Sequence, residues 1–324
     1  MSAHSTSLAI RAIAVLLPVS LLFGHASGII SGKRGDPVNL TTAFPSCGNC
    51  HNATPDANVR MAIDSATSVA PGAQVAVKAS VSGANTTKTD GGFSMEATAG
   101  AFVAGTNTRT DTTNTGRAAI THANSSSRSW SFSWTAPTTP GLVEITAVGN
   151  CVDGDNRNVG DAWGFYGPSS VVPGTPYRVF VNAPTIRSAG EGCAGTDGFE
   201  PVLGMATAPA VNGTFVSEVY NLPPGTAAVT FLGLSNTSYG VIPLPLPLQA
   251  FGGGACVLRV SLDISQVAFT SGRGSGNGSA RSTWVIPNAT NLRGLGLHFQ
   301  TLTVDLPANA LGMTFSNALS TTIQ

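Results

Sequence analysis

The chain has 324 residues, with Lys plus Arg equal to Asp plus Glu at 16 each, and charged residues make up only 10% of it. That balance excludes a basic stripe for nucleic acid and an acidic solvating tail. With 38 glycines and 20 prolines the composition suits short strands joined by tight turns, and the length leaves room for two cores.

Residues 1–26 read as a secretory signal peptide. Arg11 precedes an apolar run from Ala12 to Phe23, and Gly24-His25-Ala26 supplies a small-residue site with cleavage expected after Ala26. The run is too short to cross a bilayer core, which needs roughly 20 residues. No later segment is apolar enough to span, and Ser320-Thr321-Thr322-Ile323-Gln324 offers neither a hydrophobic anchor nor basic stop residues. The expectation is an exported protein of the periplasm, cell surface or extracellular space, soluble or held by contacts with envelope or surface components.

Residues 27–60 form an irregular segment carrying Cys47-Gly48-Asn49-Cys50-His51, the C-x-x-C-H pattern of covalent c-type haem attachment. Two thiols three positions apart can each add to a haem vinyl group, and the adjacent imidazole reaches the iron as proximal ligand. A plain or redox-active disulfide and a metal site are the competing readings. Zinc lacks a second Cys/His pair to complete four ligands, and a thioredoxin-like site lacks its βαβ context. In an all-β chain the haem would lie between the Asn39–Asn58 segment and a sandwich face.

Residues 61–184 carry period-two alternation. Val75, Val77, Ala79 and Val81 alternate after Pro71-Gly72, Trp130, Phe132 and Trp134 alternate with serines, and Val143, Ile145 and Ala147 follow Pro140-Gly141. Tyr177, Val179 and Val181 repeat the pattern after Pro173-Gly174. These strands predict an antiparallel β-sandwich burying Val75, Val77, Trp130, Phe132, Trp134 and Ile145. The three rings could suggest carbohydrate stacking, but one-face strand spacing favours the core.

Alternation stops over 185–192, which reads as a linker, and a second β-sandwich follows over 193–324. Its expected strands are Thr214–Tyr220, Ala228–Leu234, Val257–Ile264, Ser282–Ile286, Leu295–Val304 and Met313–Phe315, with Ser271–Ser279 as a flexible loop. The fold class is thus all-β, two tandem immunoglobulin-like or jelly-roll-like sandwiches.

Several blocks resemble a known family. Gly28-Ile29-Ile30-Ser31-Gly32-Lys33-Arg34-Gly35 ahead of the C-x-x-C-H motif, Gly92-Phe93-Ser94-Met95 and Thr121-His122-Ala123-Asn124-Ser125 resemble bacterial choice-of-anchor V domains. Trp130-Ser131-Phe132-Ser133-Trp134-Thr135-Ala136-Pro137, Gly149-Asn150 and Gly160-Asp161-Ala162-Trp163 continue the resemblance, and the later blocks also resemble the animal Reeler domain. It covers about residues 28–182 and implies an exported, envelope-associated immunoglobulin-like domain with no assigned activity. Cys151 stands where that pattern suggests a small residue. The second half, through Cys193, Leu222-Pro223-Pro224, Leu232–Thr237, Cys256 and Leu311–Asn317, resembles a C-terminal β domain common on exported planctomycete-type proteins.

Cys193 and Cys256 are expected to form a disulfide, worth roughly 4 kcal/mol in the chain-entropy model. Three cysteines remain, and a bridge from Cys151 to Cys47 or Cys50 would block haem attachment. His122 is the leading candidate for a second axial ligand, with Met95 or Met61 as alternatives, while His298 is expected to face solvent. Cys151-Val152-Asp153-Gly154-Asp155-Asn156, with Asp161, has the oxygen-rich look of a calcium loop but no closing Glu. No hydrolase motif appears, so no enzyme is expected.

The leading functional expectation is a non-enzymatic haem-c protein that carries or stores electrons with a redox partner protein. Cys47, Cys50, His51 and His122 would hold the haem. The rival is a structural or adhesive surface protein in which the C-x-x-C cysteines form disulfides. The second sandwich is expected to retain or display the first.

Overall fold

The computed structural model describes Gly28 and residues 46–113, 115–155 and 157–324. The expected signal peptide and most of the Gly28–Gly35 block lie outside the described residues. Among those residues the architecture is all-β, and its only helices are four short 3-10 turns, so no helix is long and apolar enough to cross a membrane.

The first half contains β1 (Arg60–Ser65), β2 (Ser68–Val69), β3 (Gln74–Ser82), β4 (Gly91–Ala97), β5 (Ala101–Val103) and β6 (Thr108–Thr112). It continues with β7 (Ala118–His122), β8 (Ser129–Thr135), β9 (Gly141–Cys151), β10 (Ala162–Phe165) and β11 (Tyr177–Val181). One sheet runs β1-β3-β8-β5, and the other runs β2-β11-β9-β4-β7-β6 with β10 paired to β9. Alternation explains the core between them. Val77, Trp130, Phe132, Trp134 and Ile145 all face inward as expected, whereas Val75, nearer the strand end, is only half-buried. Phe93 stacks on Phe132 with ring centroids 5.7 Å apart. The alternating Val, Trp and Phe positions marked β3, β8, β9 and β11, but β4 was hidden because it is buried on both faces and does not alternate.

The second half contains β12 (Arg187–Ala189), β13 (Val202–Gly204), β14 (Thr214–Leu222), β15 (Ala227–Gly233), β16 (Ser238–Tyr239), β17 (Ile242–Pro243) and β18 (Leu246–Pro247). There follow β19 (Val257–Leu258), β20 (Ile264–Phe269), β21 (Gly278–Val285), β22 (Gly296–Val304), β23 (Met313–Phe315) and β24 (Ala318–Thr322). Its larger sheet runs β12-β24-β22-β15-β20 with β23 on β22, and faces the sheet β13-β14-β21 across Phe215, Trp284 and Phe299. The expected strand Val257–Ile264 is split. Only its first two residues pair with β18, and its last residue opens β20. The disulfide Cys193–Cys256 is present and sits in a small core with Leu244, Leu248, Leu258 and Phe315.

The expected linker over 185–192 is not a free connection. Arg187–Ala189 pairs with β24, and Ile186 is buried in the second core, because a short strand needs no internal alternation when a neighbouring edge supplies its hydrogen bonds. The two halves also abut. Phe180 is buried against Gly204, where an added Cβ would stand 1.9 Å from its ring, and it stacks on Tyr220 at 6.3 Å. Arg178 donates to Glu144, Asn221, Asn277 and the Gly276 carbonyl, so its buried charge is fully engaged across that contact.

Candidate functional site

Ser46–Asn49 forms one 3-10 turn, in which the Cys50 and His51 amides both donate to the Cys47 carbonyl, at 3.0 and 2.9 Å. Side chains three apart eclipse in such a turn, so the turn presents Cys47 and Cys50 together with His51 next in line. The turn docks on the outer face of the larger first-half sheet. Cys47 packs against a small apolar patch of Val148, Trp163 and Phe165, which β9 and β10 point away from the sandwich interior. The Trp163 indole donates to the Asn52 carbonyl at 2.7 Å, and the Asp56 amide donates to the Trp163 carbonyl at 2.7 Å.

His51 is oriented by two side chains about one hundred residues away in sequence. Its Nδ1 donates to Asp161 Oδ2 at 2.8 Å, and Asp161 is only 2% exposed. A ring nitrogen facing a carboxylate carries the proton, which leaves the lone pair of the neutral ring on Nε2. Asn150 Nδ2 lies 3.3 Å from Nε2, a longer and weaker contact. The Asn150 carbonyl oxygen is buried without a hydrogen-bond partner.

His122 sits one strand away. Asn150 on β9 pairs with Gly92 on β4, so their Cα substituents project from the same face. Gly92 has no side chain, and the His122 ring fills the place: an added Cβ would come 2.5 Å from Cε1 and 2.8 Å from Nε2. Gly28 closes over the ring from the other side, while Phe93 and Trp130 flank it at centroid distances of 6.3 and 6.2 Å. The Phe93 amide donates to His122 Nδ1 at 3.0 Å, which places the neutral ring's proton on Nε2. The Phe93 carbonyl oxygen is also 3.0 Å from Nδ1, and the other tautomer, donating to it, would carry its lone pair on Nε2. Burial, more than any neighbouring charge, lowers its pKa from 6.5 to about 4, so the ring is neutral at physiological pH.

The fold therefore gathers the C-x-x-C-H turn, His51 and His122 around neighbouring positions of β4 and β9. It does not bring in the methionines: Met61 and Met95 both lie in the sandwich core, the opposite side of the sheet from Cys47. Cys151 is a buried free thiol in the same core, with its pKa raised by burial. Facing inward, it cannot bridge to Cys47 on the outer face. His298, expected to face solvent, is half-buried, hydrogen-bonded to Ser320 Oγ at 2.7 Å and lowered in pKa by desolvation.

The acidic run after Cys151 closes on itself. Asp153 accepts from the Asp155 amide, Asp155 from the Arg157 amide, and Asp161 Oδ1 from the Asp153 amide at 3.0 Å. Among the described residues no group of three or more His, Cys, Asp or Glu is placed to hold a metal ion. Asp161, which follows the oxygen-rich run after Cys151, accepts from His51. Asn150 and Asp161 both lie in blocks that carry the family resemblance, whereas Asn52 joins the site without any local signal. Compared with known families and curated proteins, the chain matches none of them.

Proposed function

We propose that this chain is an exported, envelope-associated protein that binds a c-type haem covalently and carries or stores electrons, with no enzymatic turnover. The observation that carries the reading is the grouping of two imidazoles, His51 with Nδ1 on Asp161 and His122 with Nδ1 on the Phe93 backbone, beside a turn that presents two cysteines. A ligand at His51 Nε2 would displace the long Asn150 contact. The residues fit the group chemically. Cys47 and Cys50 would form the thioether links, His51 would be the proximal and His122 the distal ligand, and Val148, Trp163 and Phe165 offer apolar surface next to Cys47. When bound, such a haem supplies a one-electron couple. The protein's part is to fix both ring orientations, to keep Cys151 on the far side of the sheet, and to hold the turn against β9 and β10. The disulfide Cys193–Cys256 supports the export reading, because such bonds persist in oxidising compartments.

A structural or adhesive role is the rival, favoured by the hydrogen bonds from Trp163 and Asp56 that hold the segment without any cofactor. Optical spectroscopy separates the two. The mature chain, produced with haem-attachment machinery, should show a low-spin haem spectrum that survives denaturation as a covalent chromophore, and His122→Ala should convert it to high spin. A chain that emerges colourless would leave the structural role standing. For the second sandwich we infer a retention or display module for the first, tested by whether a chain lacking it accumulates in a different fraction of the cell.

A further inference from the structure

The two imidazoles are not equivalent. His122 Nδ1 meets a backbone group of Phe93, which carries no formal charge, whereas His51 Nδ1 donates to the carboxylate of Asp161. That carboxylate is 2% exposed, and among the described residues no Lys or Arg pairs with it. Its second oxygen accepts the Asp153 amide, so the group is held in place from both sides. A carboxylate acceptor draws the Nδ1 proton more strongly than a carbonyl does, and the electron density gained by the ring makes Nε2 the more basic ligand. A basic ligand and a buried negative charge both favour the more positive oxidation state of a bound metal, and weak solvent screening preserves the effect. The other common lever works in the same direction: methionine ligation raises the potential, and Met61 and Met95 are both confined to the core.

From this we infer that Asp161 is a positioning residue that fixes the His51 tautomer and sets the site at low potential. The donor that feeds it must then be a strong one-electron reductant. One electron enters from that donor and one leaves to an acceptor. The inference rests on the haem reading.

The test is a redox titration of the haem-bearing mature chain, with dithionite as reductant and ferricyanide as oxidant, comparing wild type, Asp161→Asn and Asp161→Glu. Asp161→Asn should keep its covalent haem and low-spin spectrum while its midpoint moves to higher potential, and Asp161→Glu should recover part of the shift. An Asp161→Asn protein with intact haem and the wild-type midpoint would overturn the inference while leaving the haem reading in place. Wild-type protein without covalent haem would overturn the haem reading, and the potential claim with it. If Asp161→Asn does not fold, nitrogen-15 NMR of histidine-labelled wild type decides the matter. A strongly downfield Nδ1 proton on His51 supports the pairing, and an unprotonated Nδ1 overturns it.

Discussion

Both halves of the chain close a core of aromatic side chains between two β-sheets, yet the segments outside those sheets are secured by different chemistry. In the second half Cys193 and Cys256 are covalently joined amid Leu244, Leu248, Leu258 and Phe315. In the first half the segment after Ser46 is held on the sheet by hydrogen bonds: His51 to Asp161, Trp163 to Asn52 and Asp56 to Trp163. A cross-link acts largely by restricting the unfolded chain and needs no particular polar groups around it. Hydrogen-bonded docking needs every partner in place, and it puts a buried carboxylate beside an imidazole. The cross-link suits a structural clip, and the hydrogen-bonded docking suits a site whose side chains must be oriented.

The largest effects should be common to both halves. Trp134→Ala in the first core and Trp284→Ala in the second each remove a ring that is at most 4% exposed. Each should cost about 3–5 kcal/mol in denaturant unfolding. A loss below about 1 kcal/mol in either would show that its sandwich is not organised around the aromatic cluster.

Trp134 is legible in the sequence because strand periodicity needs only local spacing, and Ser129–Thr135 alternates without a break. Trp284 is marked only as part of an expected strand, Ser282–Ile286. The Cys193–Cys256 pairing is legible too, from the placement of both cysteines in the second half and the expectation of export. The His51 site was half legible. The C-x-x-C-H turn and His122 announce themselves by residue type, but Asn150 and Asp161 come together at His51 only through the pairing of β9 with β10, and Asn150 comes near His122 only through the pairing of β9 with β4. The Gly160–Trp163 block flags Asp161 by resemblance, but nothing local tells its role beside His51 from that of a turn aspartate. The segment 185–192 was misjudged for a related reason, since its strand exists only by virtue of β24.

Next in size is the disulfide. Replacing Cys193 and Cys256 by Ala should lower stability by about 4 kcal/mol on the chain-entropy model. In thermal melts followed by hydrogen exchange, protection should fall in the second sandwich first. Equal loss of protection in both halves would mean that the contact through Phe180 and Arg178 makes them one cooperative unit.

His122 gives the first half a pH dependence. Its folded pKa of about 4 lies below the ordinary 6.5, so above pH 6.5 both folded and unfolded rings are neutral and its contribution is fully present. As pH falls from 6.5 to about 4 the unfolded chain takes up a proton that the folded ring refuses, and stability drops. The loss should reach at most about 3 kcal/mol and level off below that range. Urea titrations of the haem-free chain check this, and His122→Gln should flatten the profile between those limits. An unchanged slope in that variant would assign the acid sensitivity elsewhere.

The smallest effect belongs to Asn150→Ala. It removes only the long contact to His51 and should cost about 1 kcal/mol, read as faster amide exchange confined to residues 46–59. Faster exchange across β4 and β9 would instead mean that Asn150 supports the sheet rather than the turn.

The central claim is that the Cys47–His51 turn is a haem attachment site, and intact-mass analysis tests it most directly. The mature chain made alongside haem-attachment machinery should gain the mass of one haem and stain for haem on a denaturing gel. Cys47→Ala and Cys50→Ala should each weaken or abolish the stain, and the double variant should have none. A wild-type chain that keeps its unmodified mass under conditions where a control cytochrome c matures would contradict the claim and return the turn to a structural role.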